Sequence, residues 1–347
     1  MFNFVLVVGI ILVLYIFFML FRVGTLLGVA KGEHHKRETT MNHFNGIMLF
    51  LVFLAGTFAF FWYSITAHDR YTMPVASEHG VITDDMFWIT TLITGIVFIL
   101  ANALLFYFSF RYRFKENKKA TFYPDNHKLE IVWTIIPAIV LTLLVLRGLK
   151  VWTDITAPAP EEAEVVEIMG YQFAWAARYP GKDGKLGEYD YQMIDNINAF
   201  GMDFSDKASF DDFVPQEIHI PKGKPVLLKI RARDVLHSVF LPHFRLKMDA
   251  VPGMPTRFWF VPTKSTAEMR AETGNPEFNY ELACTEICGR GHFAMRLLVV
   301  VDEPEDYEKW YAEQQNWLQQ NPTYLSKVPE QLQELALISS GIEKKEE

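Results

Sequence analysis

The sequence predicts a membrane-embedded α-helical half of four transmembrane helices, then an all-β Greek-key barrel and a short helical tail. Three observations predict it. Four long apolar runs are confined to residues 1–150; the charge balance reverses at their end; and the remainder carries short strand-like stretches bounded by Pro, Gly or Asp. Residues 1–150 hold 13 Lys+Arg against 9 Asp+Glu, a net +4, and residues 151–347 hold 20 against 32, a net −12. An apolar, slightly basic half is thus joined to an acidic half made for water.

The apolar runs are Phe4–Phe21, Phe44–Thr66, Phe87–Phe110 and Leu129–Leu149. Each is close to or above the roughly 20 residues that cross a bilayer. The first lacks the basic start of a signal peptide, its first charge being Arg22, so it reads as a span, with a cleaved leader over residues 1–21 as the alternative. Loop charges orient the set. Arg22–His43 carries Arg22, Lys31, Lys36 and Arg37, and Arg111–Lys128 carries six basic residues, whereas Ala67–Asp85 has only Arg70 among four acids. Basic loops stay on the cytoplasmic side. Loops one and three are therefore inside, loop two is outside, and everything after Lys150 is outside.

Thr156-Ala157-Pro158-Ala159-Pro160-Glu161-Glu162 is a Pro-rich acidic linker at a domain boundary. Beyond it, Val165–Met169, Glu217–Ile220, Val226–Ala232, Arg257–Val261, Glu268–Ala271 and Arg296–Val301 read as strands. Tyr179–Phe213, rich in Asp, Gly and Asn, reads as a long excursion. Glu305–Gln320 reads as a helix, Pro322 as its interruption and Glu330–Ile338 as a second helix ahead of a charged end. The expected boundaries are a helical hairpin at 1–66, a second at 86–151, the barrel at 161–304 and the tail at 305–347. Nothing in the acidic outer half points to nucleic acid.

Chemistry concentrates in Cys284-Thr285-Glu286-Ile287-Cys288-Gly289-Arg290-Gly291-His292-Phe293-Ala294-Met295, with His237 upstream in Asp234-Val235-Leu236-His237-Ser238. Cys284 and Cys288 are the only cysteines in 347 residues. Thiolate and thioether are soft donors and imidazole is intermediate, a set suited to copper. One cysteine with two histidines and a methionine is the mononuclear blue-copper pattern; a second cysteine makes room for two coppers bridged by sulfur. A Cys284–Cys288 disulfide suits an outward-facing domain but leaves His237, His292 and Met295 without a role. Zinc does not usually recruit methionine. In a Greek-key barrel one ligand comes from a loop between early strands and the rest from one long loop before the last strand, which is the order found here.

These residues resemble subunit II of the haem–copper cytochrome c oxidases over roughly 80–301. The resemblance rests on the two motifs above, on Lys247-Met248-Asp249-Ala250-Val251-Pro252-Gly253, and on Leu129-Glu130-Ile131-Val132-Trp133-Thr134-Ile135-Ile136-Pro137 at the start of the fourth span. It implies a cupredoxin-like barrel with a dinuclear copper centre, CuA, on the periplasmic face of a bacterial inner membrane. Cys284 and Cys288 would bridge two copper ions, His237 and His292 would each bind one, and Met295 and the Glu286 carbonyl would be weak ligands. The Glu286 carboxylate would reach a magnesium ion shared with a haem-bearing catalytic subunit I. Glu130 would mark the entrance of a proton channel, its bland counterpart being a carboxylate at headgroup level.

The chain departs from the family twice. Phe173 stands in Gly170-Tyr171-Gln172-Phe173-Ala174-Trp175 where the tryptophan that receives electrons usually sits, which leaves Phe173 and Trp175 as candidates or as core aromatics. The common pattern also has two spans, so the first two here are extra. No Cys-x-x-Cys-His occurs, hence no c-type haem is attached and electrons come from a separate donor such as cytochrome c. The acidic outer half fits a basic donor, with Asp234, Asp190, Asp195 and Glu188 as candidate docking residues. A copper-free quinol oxidase subunit II would lack these ligands. A copper chaperone would have no use for Glu130 or for weak axial donors.

Overall fold

A computed structural model describes residues 2–32, 34–115 and 118–342. Two compact units emerge, one of residues 1–72 with 89–139, the other of 73–88 with 140–347. The first contains α1 (Phe2–Ala30), α2 (His34–Thr66), α3 (His68–Tyr71) and the inner parts of α4 (Glu78–Arg111) and α5 (His127–Ile155). Four of these helices are long and apolar enough to cross a membrane, at Ile11–Ala30, Thr40–Thr66, Glu78–Arg111 and His127–Ile155. Their apolar side chains are largely exposed, as they must be where lipid is the solvent. Inside the first unit, α2 and α4 meet through Phe53 stacked on Phe106 at 4.3 Å and through Phe50 and Phe110, whose rings lie 6.1 Å apart.

The second unit is built on two sheets. β1 (Glu164–Tyr171), β2 (Ala174–Arg178), β3 (Ile218–Pro221), β4 (Val226–Ala232) and β5 (His237–Leu241) come first. β6 (Leu246–Ala250), β7 (Thr256–Phe260), α6 (Thr266–Thr273), β8 (Tyr280–Cys284) and β9 (Arg296–Asp302) follow. The chain ends in α7 (Pro304–Ala312), α8 (Trp317–Gln320) and α9 (Glu330–Ser340). One sheet runs β2-β1-β4-β7 and the other β3-β9-β8-β5-β6, with parallel pairing only between β1 and β4 and between β3 and β9. Ile168, Val226, Ile230, Val239, Phe260, Leu282 and Val299 fill the space between the sheets.

One expected strand is a helix. Glu268–Ala271 lies inside α6, because Ser265 accepts from the Glu268 amide while Glu268 reaches back to the Ser265 amide, and Gly274 closes the other end at φ 64°. This reciprocal cap satisfies two orphan donors of the first turn and overrides the local β-like alternation. The expected helix 305–320 is also two pieces. Asn316 and Gln319 form a second reciprocal cap that restarts the chain as α8. Strands β2, β5, β6 and β8 were not among the strands read from the sequence.

Below the barrel lies a second, smaller core. Phe200, Met202, Phe204 and Phe210 from the 179–213 excursion pack against Trp317, Leu318, Val328 and Ala336 of the tail. Between the two cores Glu167 accepts from Arg178 and Arg231 at 2.5 Å each, and Arg178 donates to Asp212 at 3.1 Å. All four groups are buried. Burial pushes Asp212 up to about 8, against the pull of Arg178. The tail therefore builds the excursion's floor. Residues 343–347, the charged end, lie outside the described residues.

Candidate metal centre

The β-ladder brings the upstream histidine to the cysteine loop. His237 opens β5, and β5 pairs antiparallel with β8, whose last residue is Cys284. A donor atom from each of His237, Cys284 and Cys288 lies within 4.8 Å of the others, and all three residues are buried. His237 Nδ1 is 3.8 Å from Cys284 Sγ, and His292 Nδ1 is 3.6 Å from Cys288 Sγ. Met295 Sδ is 3.8 Å from Cys288 Sγ, and the Glu286 carbonyl is 3.3 Å from Cys284 Sγ. Both cysteines are free thiols, so the disulfide reading is set aside. All six sequence-nominated positions converge, while the Glu286 side chain points outward and is exposed.

Local chemistry orients these donors. Asp234 Oδ1 accepts from His237 Nε2 at 2.9 Å, which leaves Nδ1 as the lone-pair nitrogen facing Cys284. The other Asp234 oxygen accepts from the Gln172 amide at 2.7 Å, and Gln172 Nε2 donates to the Cys288 carbonyl at 2.5 Å. The β1–β2 turn thereby ties both loops together. Gln172 was not visible as a site residue in the sequence, since nothing in its neighbours marks it. Asp234, proposed there for donor docking, has its carboxylate engaged inside the site.

The donor set fits a soft or borderline cation. Burial, helped by neighbouring Cys284, pushes the Cys288 thiol up to about 11; a coordinated metal ion reverses that, because a ligating thiol is deprotonated outright. Phe173 is 40% exposed and lies across Gly289 and Gly291 of the cysteine loop. Trp175 is buried with its ring 5.7 Å from that of His237, and Gly170 leaves no room for a Cβ between the two.

The other nominated residues lie elsewhere. Asp195 accepts from Tyr324 at 2.6 Å, which with backbone amides holds it below the ordinary carboxylate range. Asp190 accepts from the Gln192 amide. Glu130 sits in the first turn of α5, half-exposed and 3.2 Å from His127 Nδ1.

Two family profiles match this chain: the transmembrane domain of cytochrome c oxidase subunit II over residues 62–151 and its periplasmic domain over 164–302. The chain belongs to the cytochrome c oxidase subunit II family. An alternative cytochrome c oxidase subunit 2 of Bradyrhizobium diazoefficiens is 38% identical over 247 residues, 70% of this chain and 84% of the relative. Cytochrome c oxidase subunit 2 of Thermostichus vulcanus is 30% identical over 283 residues, 74% and 81%. Among solved structures, the periplasmic domain of subunit II of cytochrome oxidase from Bradyrhizobium japonicum aligns at 23% identity and TM-score 0.31, covering 45% of this chain and 95% of that one. As a subunit II, the chain is a multi-pass membrane protein with a periplasmic cupredoxin-like domain. Residues 1–61 fall outside both matched ranges.

Proposed function

We propose that this chain is the electron-accepting subunit of a terminal cytochrome c oxidase in a bacterial inner membrane. It takes electrons from an external donor such as cytochrome c and delivers them to haem in the catalytic subunit I. The observation that carries this is the convergence of two free thiols, two imidazoles and a thioether in one cluster, its His237, Cys284, Cys288 and Met295 members buried, on a membrane-anchored barrel.

Cys284 and Cys288 would hold two copper ions between them, with His237 and His292 as terminal donors and Met295 and the Glu286 carbonyl as weak ones. Bound there, copper supplies a one-electron carrier whose charge is shared over two metals and two sulfurs. The chain's own part is to keep the donors still. The β5–β8 ladder fixes His237 against Cys284, Asp234 fixes the ring's tautomer, and Gln172 pins the Cys288 carbonyl. Ligands held this firmly move little between oxidation states, which favours transfer.

The exposed Glu286 carboxylate is free to reach a magnesium ion at the boundary with subunit I, a hard oxygen donor for a hard cation. Glu130, at the cytoplasmic end of α5, is assigned to the mouth of a proton path into subunit I. Phe173, exposed over the cysteine loop, is the better-placed electron entrance than buried Trp175. The hairpin 1–66 packs against another subunit, and the units 86–151, 161–304 and 305–347 serve as second hairpin, copper domain and floor.

The test is electron paramagnetic resonance with copper quantitation on the full-length chain in detergent. The full chain is needed because residues 73–88 are part of the barrel's unit. Hyperfine lines from one electron shared by two copper nuclei, at about two coppers per chain, are expected for two bridging thiolates. A single-copper spectrum would reduce the site to a blue-copper type. No bound copper, with a Cys284–Cys288 disulfide instead, would overturn the proposal.

A further inference from the structure

Arg245 stands out twice. It is the single non-glycine residue with positive φ (55°) among the described residues. A side chain in that left-handed region costs about 1–2 kcal/mol, which glycine would avoid. Its guanidinium also makes four hydrogen bonds: to both Asp84 oxygens at 2.8 and 2.9 Å, to the Pro242 carbonyl at 2.8 Å and to the Met73 carbonyl at 2.7 Å. A planar fork on a carboxylate sets direction as well as distance.

Its position gives the contacts a purpose. Asp84 lies near the start of α4, and Arg245 lies in the turn joining β5 to β6. The far end of that same hairpin carries His237, paired with Ala250, while the near end is Leu241 paired with Leu246. Three further bonds fasten the same junction: Ser77 Oγ to the Phe244 carbonyl at 2.7 Å, the Ala76 amide to the His243 carbonyl at 2.8 Å, and the Thr263 amide to the Ala76 carbonyl at 2.9 Å. Gly80 is packed so closely that a Cβ would meet Val75 at 2.5 Å and the Arg245 side chain at 3.2 Å. The first turns of α4 and the ligand-bearing hairpin form one joint.

We infer that Arg245 is a positioning residue for onward electron delivery: with Asp84 it locks the first turns of α4 to the β5–β6 turn, so the hairpin carrying His237 is held fixed against residues 73–84. This rests on the electron-accepting reading above. From this turn the Arg245 side chain reaches both Asp84 and the Met73 carbonyl.

The test uses the intact oxidase complex with Arg245→Gly, which suits the left-handed backbone and removes the whole side chain, and with Arg245→Lys and Asp84→Asn, which keep the packing and change only the polar contact. Copper content, the copper resonance and the rate of reduction by the external donor are expected to stay as in the unsubstituted complex. Transfer from the reduced copper centre to haem, followed after flash reduction, is expected to be slower in all three variants than in the unsubstituted complex. Amide hydrogen exchange in residues 73–84 should quicken in all three variants, and Lys should not rescue because it lacks the fork. Unchanged transfer with unchanged exchange in Arg245→Gly would overturn the inference, and so would a loss of copper with unaltered transfer in the molecules that retain it. If the unsubstituted complex holds no copper pair, the electron-accepting reading fails by itself. The exchange comparison, which needs no copper, then decides the joint alone.

Discussion

Replacing Gly291 by alanine probes how tightly Phe173 clamps the cysteine loop. A Cβ there would lie 2.5 Å from Phe173 Cγ and 2.8 Å from both its Cβ and Cδ2. Carbon atoms rest at about 3.5 Å or more, so the clash is about 1 Å deep. Ring rotation cannot relieve it, because one of the crowded atoms is Phe173 Cβ, which is tied to the backbone. Gly291 itself has φ −92°, a conformation open to alanine, so no backbone strain adds to the steric cost. Overpacking of this kind costs about 1–3 kcal/mol. For a domain of this size that is roughly 2–4 °C of melting temperature per kcal/mol, or about 2–12 °C in all. Near-ultraviolet circular dichroism melts of the full chain would read it. Removing the whole side chain, Cβ included, with Phe173→Gly should abolish the penalty, leaving a coupling of about 1 kcal/mol or more in the double-mutant cycle. If Gly291→Ala melts like the unsubstituted chain, or loses as much in the Phe173→Gly background, the clamp is not real.

Other substitutions test other parts. Asp234→Asn should weaken copper binding about 10–100-fold by freeing the His237 ring, measured by competition with a chelator of known affinity; unaltered affinity would show that the ladder alone orients the histidine. Arg178→Met leaves Glu167 and Asp212 buried beside a single arginine and should cost about 3–5 kcal/mol in denaturant unfolding, and a loss below that range would place water in the network. His219 gives a pH signature. Burial alone would depress its pKa, but the hydrogen bonds it donates to Asp302 at 2.6 Å and Glu217 at 3.1 Å outweigh burial and hold it above 6.5. Its stabilisation is therefore complete below pH 6.5 and is lost as pH rises through the raised value. The difference in melting temperature between the unsubstituted chain and His219→Gln should shrink as pH rises; a difference that grows would reverse the assignment.

Much of the architecture was legible because membranes and metals impose rules that one dimension can express. A span needs length and apolarity, orientation needs basic loops, and a soft metal needs soft donors at short spacing. Hence the four spans and the Cys284–Met295 loop were recognisable before any fold was known. Where the reading failed, a local hydrogen bond had displaced a pattern. The reciprocal cap of Ser265 and Glu268 turned an apparent strand into α6, and the Asn316–Gln319 cap divided an apparent single helix. Strands β6 and β8 were missed because their pairing partners, not their own alternation, define them.

The sequence by itself determined which atoms are available: two thiols, two imidazoles, a thioether, four apolar spans and an acidic outer half. Only the tertiary structure decided that Asp234 and Gln172 serve the site and that the 304–342 tail is the floor of the excursion. It also decided that Phe173 lies on the cysteine loop and that Arg245 bolts the His237 hairpin to α4. The physical reason is separation along the chain. Gln172 meets Cys288 across 116 residues and Arg245 meets Asp84 across 161, and no local propensity or spacing encodes a contact that forms only when two sheets close around one core.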